Sequence, residues 1–169
     1  MKLLLIRHGL AEDPERFRLA GGNDAERPLT ELGIRRLRKG ANRLRALVPT
    51  LDVLVSSHLL RARESADIVA RAYGYGELQA LDGLAPDDPP TMLLAWLAAQ
   101  PAGATVALVG HQPHLGRLAG LLLCGEARPC IGLRKGGAAL IEFAGIAEAG
   151  SGVLGWLLTA RQLRGLRAA

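Results

Sequence analysis

Arg7, His8 and Gly9 follow directly on the apolar run Leu3-Leu4-Leu5-Ile6, so a guanidinium and an imidazole are presented where a buried strand ends. A ring nitrogen at such an edge can attack phosphorus, the arginine beside it can hold phosphoryl oxygens, and the glycine lets the backbone turn close beside a ligand. Alone, the tripeptide reads first as an ordinary strand-to-loop turn. Two later segments repeat the construction. Val53-Leu54-Val55 runs into Ser56-Ser57 and a helical stretch bearing Arg61, and Thr105-Val106-Ala107-Leu108-Val109 runs into Gly110-His111 and then Gln112-Pro113. In an α/β sheet, ligands bind in the crevice outside the carboxyl ends of the strands, so His8, Arg61 and His111 are expected to converge there.

The elements that must position these residues alternate along the chain. Residues 3–6 read as a strand and residues 11–27, with two glycines and mixed charge, as a long loop. Thr30 caps a helix with Ile34, Leu37, Ala41, Leu44 and Leu47 on one face. After a strand at 53–56, Ser57 is expected to cap a second helix with Arg61 in its first turn, Leu60, Ile68, Val69 and Ala72 facing inward, and its end near Gly74 and Gly76. A loop at 86–90, a helix capped by Thr91 and running through Ala99, a strand at 105–109 and a helix at 116–123 follow, with Pro113 opening that last helix. Residues 137–143 and 153–159 read as two closing strands joined by a glycine- and alanine-rich turn. Strands separated by helices imply a three-layer α/β/α sandwich with a mostly parallel central sheet and right-handed crossovers. No repeat, low-complexity tract or linker divides residues 1–169, which are expected to form a single domain.

Arg7-His8-Gly9, the stretch from Ser56 to Ala62 with Ser65-Ala66, and Val109-Gly110-His111 together resemble the histidine phosphatase superfamily, with its phosphoglycerate mutase-like fold. The stretch from Arg27-Pro28-Leu29-Thr30 to Gly33, and Gly110-His111-Gln112-Pro113, resemble the narrower branch of SixA-type phosphohistidine phosphatases. The likeness runs from Lys2 to about Leu163. It implies a metal-independent hydrolase without a cofactor, in which His8 is the nucleophile and becomes phosphorylated before water releases the phosphate. Arg7 and Arg61 would clamp the equatorial oxygens while His111 donates another hydrogen bond. Gly9 and Arg27 join Arg7, Arg61 and His111 as substrate-binding candidates, although Arg27 reads equally as an ion-pairing residue before Pro28. The neighbouring guanidiniums should disfavour a second positive charge and help keep His8 neutral.

Larger members of that superfamily use a glutamate in the middle region as general acid, whereas this chain has Leu84-Ala85-Pro86-Asp87-Asp88. An alkoxide leaving a phosphate ester needs a proton, but imidazole, with a conjugate acid of pKa near 6.5, can be protonated already in the substrate. Weak acid machinery therefore favours a nitrogen–phosphorus bond as the substrate, on a phosphorylated protein such as a histidine-containing phosphotransfer domain. A small phosphorylated molecule or phosphoserine handled by a phosphomonoesterase is the alternative, and a non-catalytic phosphate-binding module the third reading. Glu12, Asp13, Asp24 and Asp87 are candidate acids that sequence alone leaves unranked.

Composition narrows the remaining classes. With 169 residues, 49% hydrophobic and only 4% aromatic, the chain can build a real core mainly from leucine, alanine and valine. Its net charge of +5 reads as an arginine-rich solvated surface, or as attraction for anionic substrates. Nucleic acid is not expected as a partner, since few aromatics accompany the scattered cations. The apolar run before Arg7 is too short for a signal peptide and the patch around Leu121 to Cys124 too short for a membrane span, so a cytoplasmic protein without membrane contact is expected. Cys124 and Cys130 are expected to be free thiols. Zinc is not expected at His111, His114 and these cysteines, whose spacing lacks the tight pairs of structural sites. His114 reads as a neighbour of the site or as helix surface, and His58 as surface.

Overall fold

A computed structural model describes residues 1–76 and 78–166. Four strands, β1 (Lys2–Arg7), β2 (Val53–Ser56), β3 (Gln79–Ala80) and β4 (Thr105–Gly110), are parallel and lie in the order β3-β2-β4-β1. β5 (Ala138–Glu142) and β6 (Val153–Leu158) extend the β1 edge antiparallel. The helices are α1 (Pro14–Leu19), α2 (Glu31–Leu47), α3 (Leu60–Tyr73), α4 (Met92–Ala98), α5 (His114–Cys124) and α6 (Ala160–Gly165).

The alternation of side chains along a strand splits the apolar run of β1 between two cores. Leu3 and Leu5 pack with Leu93 and Leu97 of α4 and with Leu115, Leu118 and Leu122 of α5. Leu4 and Ile6 face the opposite side, where Ala41 and Leu44 of α2, Ala62, Ala66 and Val69 of α3, and Leu163 of α6 cover them. The three-layer arrangement with a mostly parallel sheet is thus the expected one. α2 begins where expected, with the Gly33 N–H donating to Thr30 Oγ1 at 2.9 Å. α3 ends at Gly74, whose φ of 65° is the left-handed conformation that suits glycine.

Several local expectations are corrected. The segment 11–27 holds α1 and a short 3₁₀ turn at Asp24–Glu26. The Asp13 carboxylate accepts from the amides of Glu15 and Arg16, and Pro14 fills the first helical position, but α1 buries no residue and so leaves no apolar period to read. Ser57 does not cap α3: the residue before the helix is Leu59, without a side-chain cap, and Ser57 is drawn to His111 instead. Thr91 likewise makes no side-chain cap on α4. β3 has only two residues, α5 opens at His114 directly after Pro113 as expected and runs to Cys124, and β6 stops at Leu158 because Thr159 and Gln162 form a capping box that starts α6. Leu47 is 41% exposed, beyond the buried stripe of α2.

Candidate functional site

The register of two parallel strands brings the histidines together. Arg7 of β1 pairs with Gly110 of β4, so His8 and His111 are the next residues on adjacent strands, and the His8 N–H donates to the Gly110 carbonyl at 3.0 Å. Their ring centroids lie 5.1 Å apart, close to the spacing of neighbouring strands, with the planes tilted by 54°. Both are buried, at 5% and 2% exposure. The His8 Nδ1 lies 2.8 Å from the Gly9 carbonyl oxygen. A carbonyl only accepts, so Nδ1 carries the proton and Nε2 keeps its lone pair.

Three contacts hold the turn after His8. The Gly9 N–H donates to Ser65 Oγ at 3.0 Å, and the Ser65 hydroxyl donates to the Arg61 carbonyl at 2.6 Å, which ties the turn to the first part of α3. Gly33 of α2 approaches so closely that a Cβ there would collide with the Leu10 carbonyl oxygen. The expectation for Gly9 therefore changes in detail. Its amide is used by Ser65 and its carbonyl orients the His8 ring, so it holds His8 in place rather than offering a free donor.

The arginines are aimed by backbone carbonyls and by one carboxylate. Arg61, 4% exposed, donates from Nη1 to the Asp24 carbonyl at 2.8 Å, and its Nη2 lies 3.1 Å from Asp24 Oδ2. Arg27 donates from Nε to Asp24 Oδ1 at 2.7 Å and from Nη1 to the Glu12 carbonyl at 2.8 Å. Arg27 is thus the ion-pairing residue that one reading expected, placed beside Arg61. Arg7 donates from Nη1 to the Leu133 carbonyl at 2.8 Å. Arg7 Nε, Arg61 Nε and His111 Nδ1 are buried with no protein partner among the described residues. Buried donors are normally satisfied, so these nitrogens are suited to an anionic ligand.

The electrostatics are those of a buried site lined by cations. Burial, more than the charges of Arg61, Arg7 and Lys135, pushes the His8 pKa down to about 3, against the pull of the Gly9 carbonyl. The neighbouring arginines contribute in the expected direction, behind burial. His111 is also pushed down to about 3, first by burial and then by His8, Arg61, His114 and Arg7. Burial and Arg134 lower the Arg7 value, and burial and Arg27 lower that of Arg61, yet a guanidinium remains charged. Burial alone would raise Asp24, but hydrogen bonding from Arg27 and the charges of Arg61 and Arg27 outweigh it and hold the carboxyl below its ordinary range.

The other candidates fall into place around this centre. His111 Nε2 is 2.9 Å from Ser57 Oγ, a partner that the second motif contained but that was expected to cap a helix. His114 is fully buried rather than on the helix surface, and burial lowers its pKa while Asp88 raises it. His58 is exposed, 2.8 Å from Asp82 Oδ1. Among the candidate acids, Asp13 caps α1, Asp24 is held between two arginines, and Glu12 and Asp87 are exposed. Asp88, which was not among them, accepts from the Ala85 N–H at 2.8 Å. The anchoring roles of Asp24 and of the Leu133 carbonyl had no signal in the sequence, since neither belongs to a strand-end motif. Cys124 and Cys130 are free and exposed. Among the described residues no cluster of three or more His, Cys, Asp or Glu is placed to hold a metal, and no helix is long and apolar enough to cross a membrane.

Known proteins are similar to this chain in sequence and in fold. Residues 3–85 match the family model of the histidine phosphatase superfamily (branch 1). An uncharacterized protein of Picosynechococcus sp. is 38% identical over 139 residues, 81% of this chain and 82% of that protein. The structure of the protein histidine phosphatase SixA complexed with tungstate is similar with a TM-score of 0.81 and 26% identity, covering 96% of this chain and 99% of that one. A phosphoserine phosphatase from Entamoeba histolytica, in complex with phosphoserine, shares the fold with a TM-score of 0.68 and 20% identity over 96% of this chain and 98% of that one. By sequence and by fold, the chain belongs to the histidine phosphatase superfamily and resembles its SixA-type members.

Proposed function

We propose that the chain hydrolyses phosphohistidine on a protein, without a metal, through a covalent intermediate on His8. In the first step the Nε2 lone pair of His8 forms a bond to phosphorus while the bond from phosphorus to the substrate imidazole breaks, and that imidazole leaves neutral because it was protonated on its other nitrogen. Arg7 and Arg61 hold the equatorial oxygens, and His111 donates from Nδ1. Arg27 supports Arg61 through Asp24. The phosphorylated His8 ring keeps its Nδ1 proton on the Gly9 carbonyl and is positively charged. Water then attacks phosphorus, the electron pair returns to Nε2, and inorganic phosphate leaves. The guanidiniums balance the phosphoryl charge that a divalent cation balances elsewhere.

The observation that carries this substrate choice is the state of Asp24. It is the one carboxylate in contact with Arg61 among the described residues, and Arg61 and Arg27 together keep it ionised. An acid held below its ordinary pKa is a poor proton donor at neutral pH. A leaving imidazole needs none. Resemblance to SixA supports the same reading, while the phosphoserine phosphatase of this fold keeps the ester alternative open to test.

The deciding measurement is kcat/KM for a phosphohistidine peptide, nitrophenyl phosphate and phosphoserine at one pH, with and without EDTA. The expected order is phosphohistidine, then the aryl ester, then phosphoserine, unchanged by chelation within a few-fold. Rapid-quench labelling should give alkali-stable, acid-labile phosphate that is lost in His8→Ala. Phosphoserine turned over as well as phosphohistidine would replace this reading by that of a phosphomonoesterase, and no turnover of any substrate by that of a binding module.

A further inference from the structure

Beside the phosphate site lies a cleft of about 400 Å³, bounded by α2, α6 and the turn before β5, with Gly9 and Leu10 reaching into it from the strand end that carries His8. Among the described residues five cations line it, Arg36, Arg134, Lys135, Arg161 and Arg164, and no aspartate or glutamate does. None of the five forms an ion pair among the described residues, whereas Arg27 and Arg61 both do.

The cleft and the nucleophile are mechanically joined. The Gly136 N–H donates to the carbonyls of both Arg7 and His8, at 3.1 and 2.9 Å, and the preceding Leu133 carbonyl holds Arg7. The turn that presents Arg134 and Lys135 is therefore fastened to the reacting residues. A phosphoryl group at His8 already meets Arg7, Arg61 and His111, so the charge of the cleft is surplus to it. Its distribution indicates what it is for. A second phosphate would call for donors converging on one buried point, but Arg36, Arg134, Lys135 and Arg161 are exposed and stand on three separate elements. Leu10 and Leu37 line the cleft with them. Spaced cations around an apolar floor match carboxylates spaced along a chain, with an aliphatic side chain among them.

We infer that this cleft docks an acidic segment flanking the phosphohistidine of the protein substrate, and so selects among phosphoproteins. The inference rests on the phosphohistidine reading above. Its probes are two synthetic phosphohistidine peptides that differ only in the flanks, rich in glutamate and leucine in one and in glutamine and leucine in the other. At low ionic strength, about 50 mM, where exposed charges are weakly screened, the acidic peptide should have a kcat/KM at least about tenfold higher, mainly through KM. Arg161→Glu with Arg164→Glu should erase that preference and leave nitrophenyl phosphate turnover within about twofold, which also reports an intact fold. Arg36→Glu, on a different helix, should weaken the preference in the same direction.

Equal hydrolysis of the two peptides by the wild type overturns the docking site and leaves the proposed function standing. Hydrolysis of neither, with nitrophenyl phosphate still turned over, overturns both. Inhibition of nitrophenyl phosphate hydrolysis by pyrophosphate that vanishes in the Arg161/Arg164 variant would assign the cleft to a second phosphate group and overturn the acidic segment.

Discussion

Ser57→Ala should slow the enzyme only through His111. Ser57 Oγ is 2.9 Å from His111 Nε2, and among the described residues the hydroxyl has no other acceptor, so its proton is directed at the ring. That assigns the His111 proton to Nδ1, the nitrogen without a protein partner. Losing the serine removes one net hydrogen bond, about 0.5–1.5 kcal/mol, and frees the ring to turn or to change tautomer. Near 1.4 kcal/mol this is about a tenfold loss in kcat with nitrophenyl phosphate. His111→Ala, which removes the donor itself, should cost about a hundredfold or more. In the double variant the serine has nothing left to orient, so adding Ser57→Ala to His111→Ala should cost less than about twofold, a coupling near 1 kcal/mol. A full tenfold loss in that background, or no loss in either, would refute the assignment of Ser57 as a positioning residue.

Two further outcomes follow from burial. His8 and His111 have pKa values near 6.5 in the unfolded chain and about 3 when folded, so the unfolded state binds more protons below pH 6.5. The stability that depends on neutral rings is fully present above pH 6.5 and is lost as the pH falls towards 3, reaching up to about 2.7 kcal/mol for one ring at pH 4.5. Urea unfolding at pH 7 and 4.5 should therefore show a smaller loss in His8→Gln than in the wild type, and equal losses would count against it. Gly33→Ala would drive a methyl group into the Leu10 carbonyl, so it should lower the Tm by roughly 4–10 °C, equivalent to about 2–3 kcal/mol, and should reduce turnover by shifting the turn after His8. An unchanged Tm would show that α2 and the turn separate at little cost.

The layers of the fold were legible because the strands of a buried parallel sheet are short apolar runs and the helices between them carry a period. The candidate site was legible where motifs follow strand ends, at His8, His111 and, in the first turn of α3, Arg61. Elements with no buried face were not: α1 and the Asp24 turn depend on polar caps, and β3 pairs through only two residues. The same limit hid the support of the site. Asp24 stands 37 residues from Arg61 in sequence, and its carbonyl and carboxylate become anchors only once the loop folds over α3. The fully buried His114 was hard to read for a related reason, since a polar residue in the first turn of a helix gives no sign of which side it faces.

Under the proposed function, the attacking and leaving groups of the first step are both imidazoles, which has a consequence for how the pocket must work. Transfer between like nitrogens has little driving force of its own, so the barrier is governed by how well the planar phosphoryl group is held, which is the work of Arg7, Arg61 and His111. Burial that keeps free His8 neutral would by itself penalise the phosphorylated, positively charged ring. The Gly9 carbonyl opposes that penalty, since it favours the protonated ring and survives attack at Nε2 unchanged. The phosphoenzyme therefore presents water with the same kind of leaving group that the substrate presented to His8, an imidazole already carrying its proton. One hydrogen bond fixed by the backbone then serves both halves of the reaction, and neither half draws on the carboxylate that the arginines hold ionised.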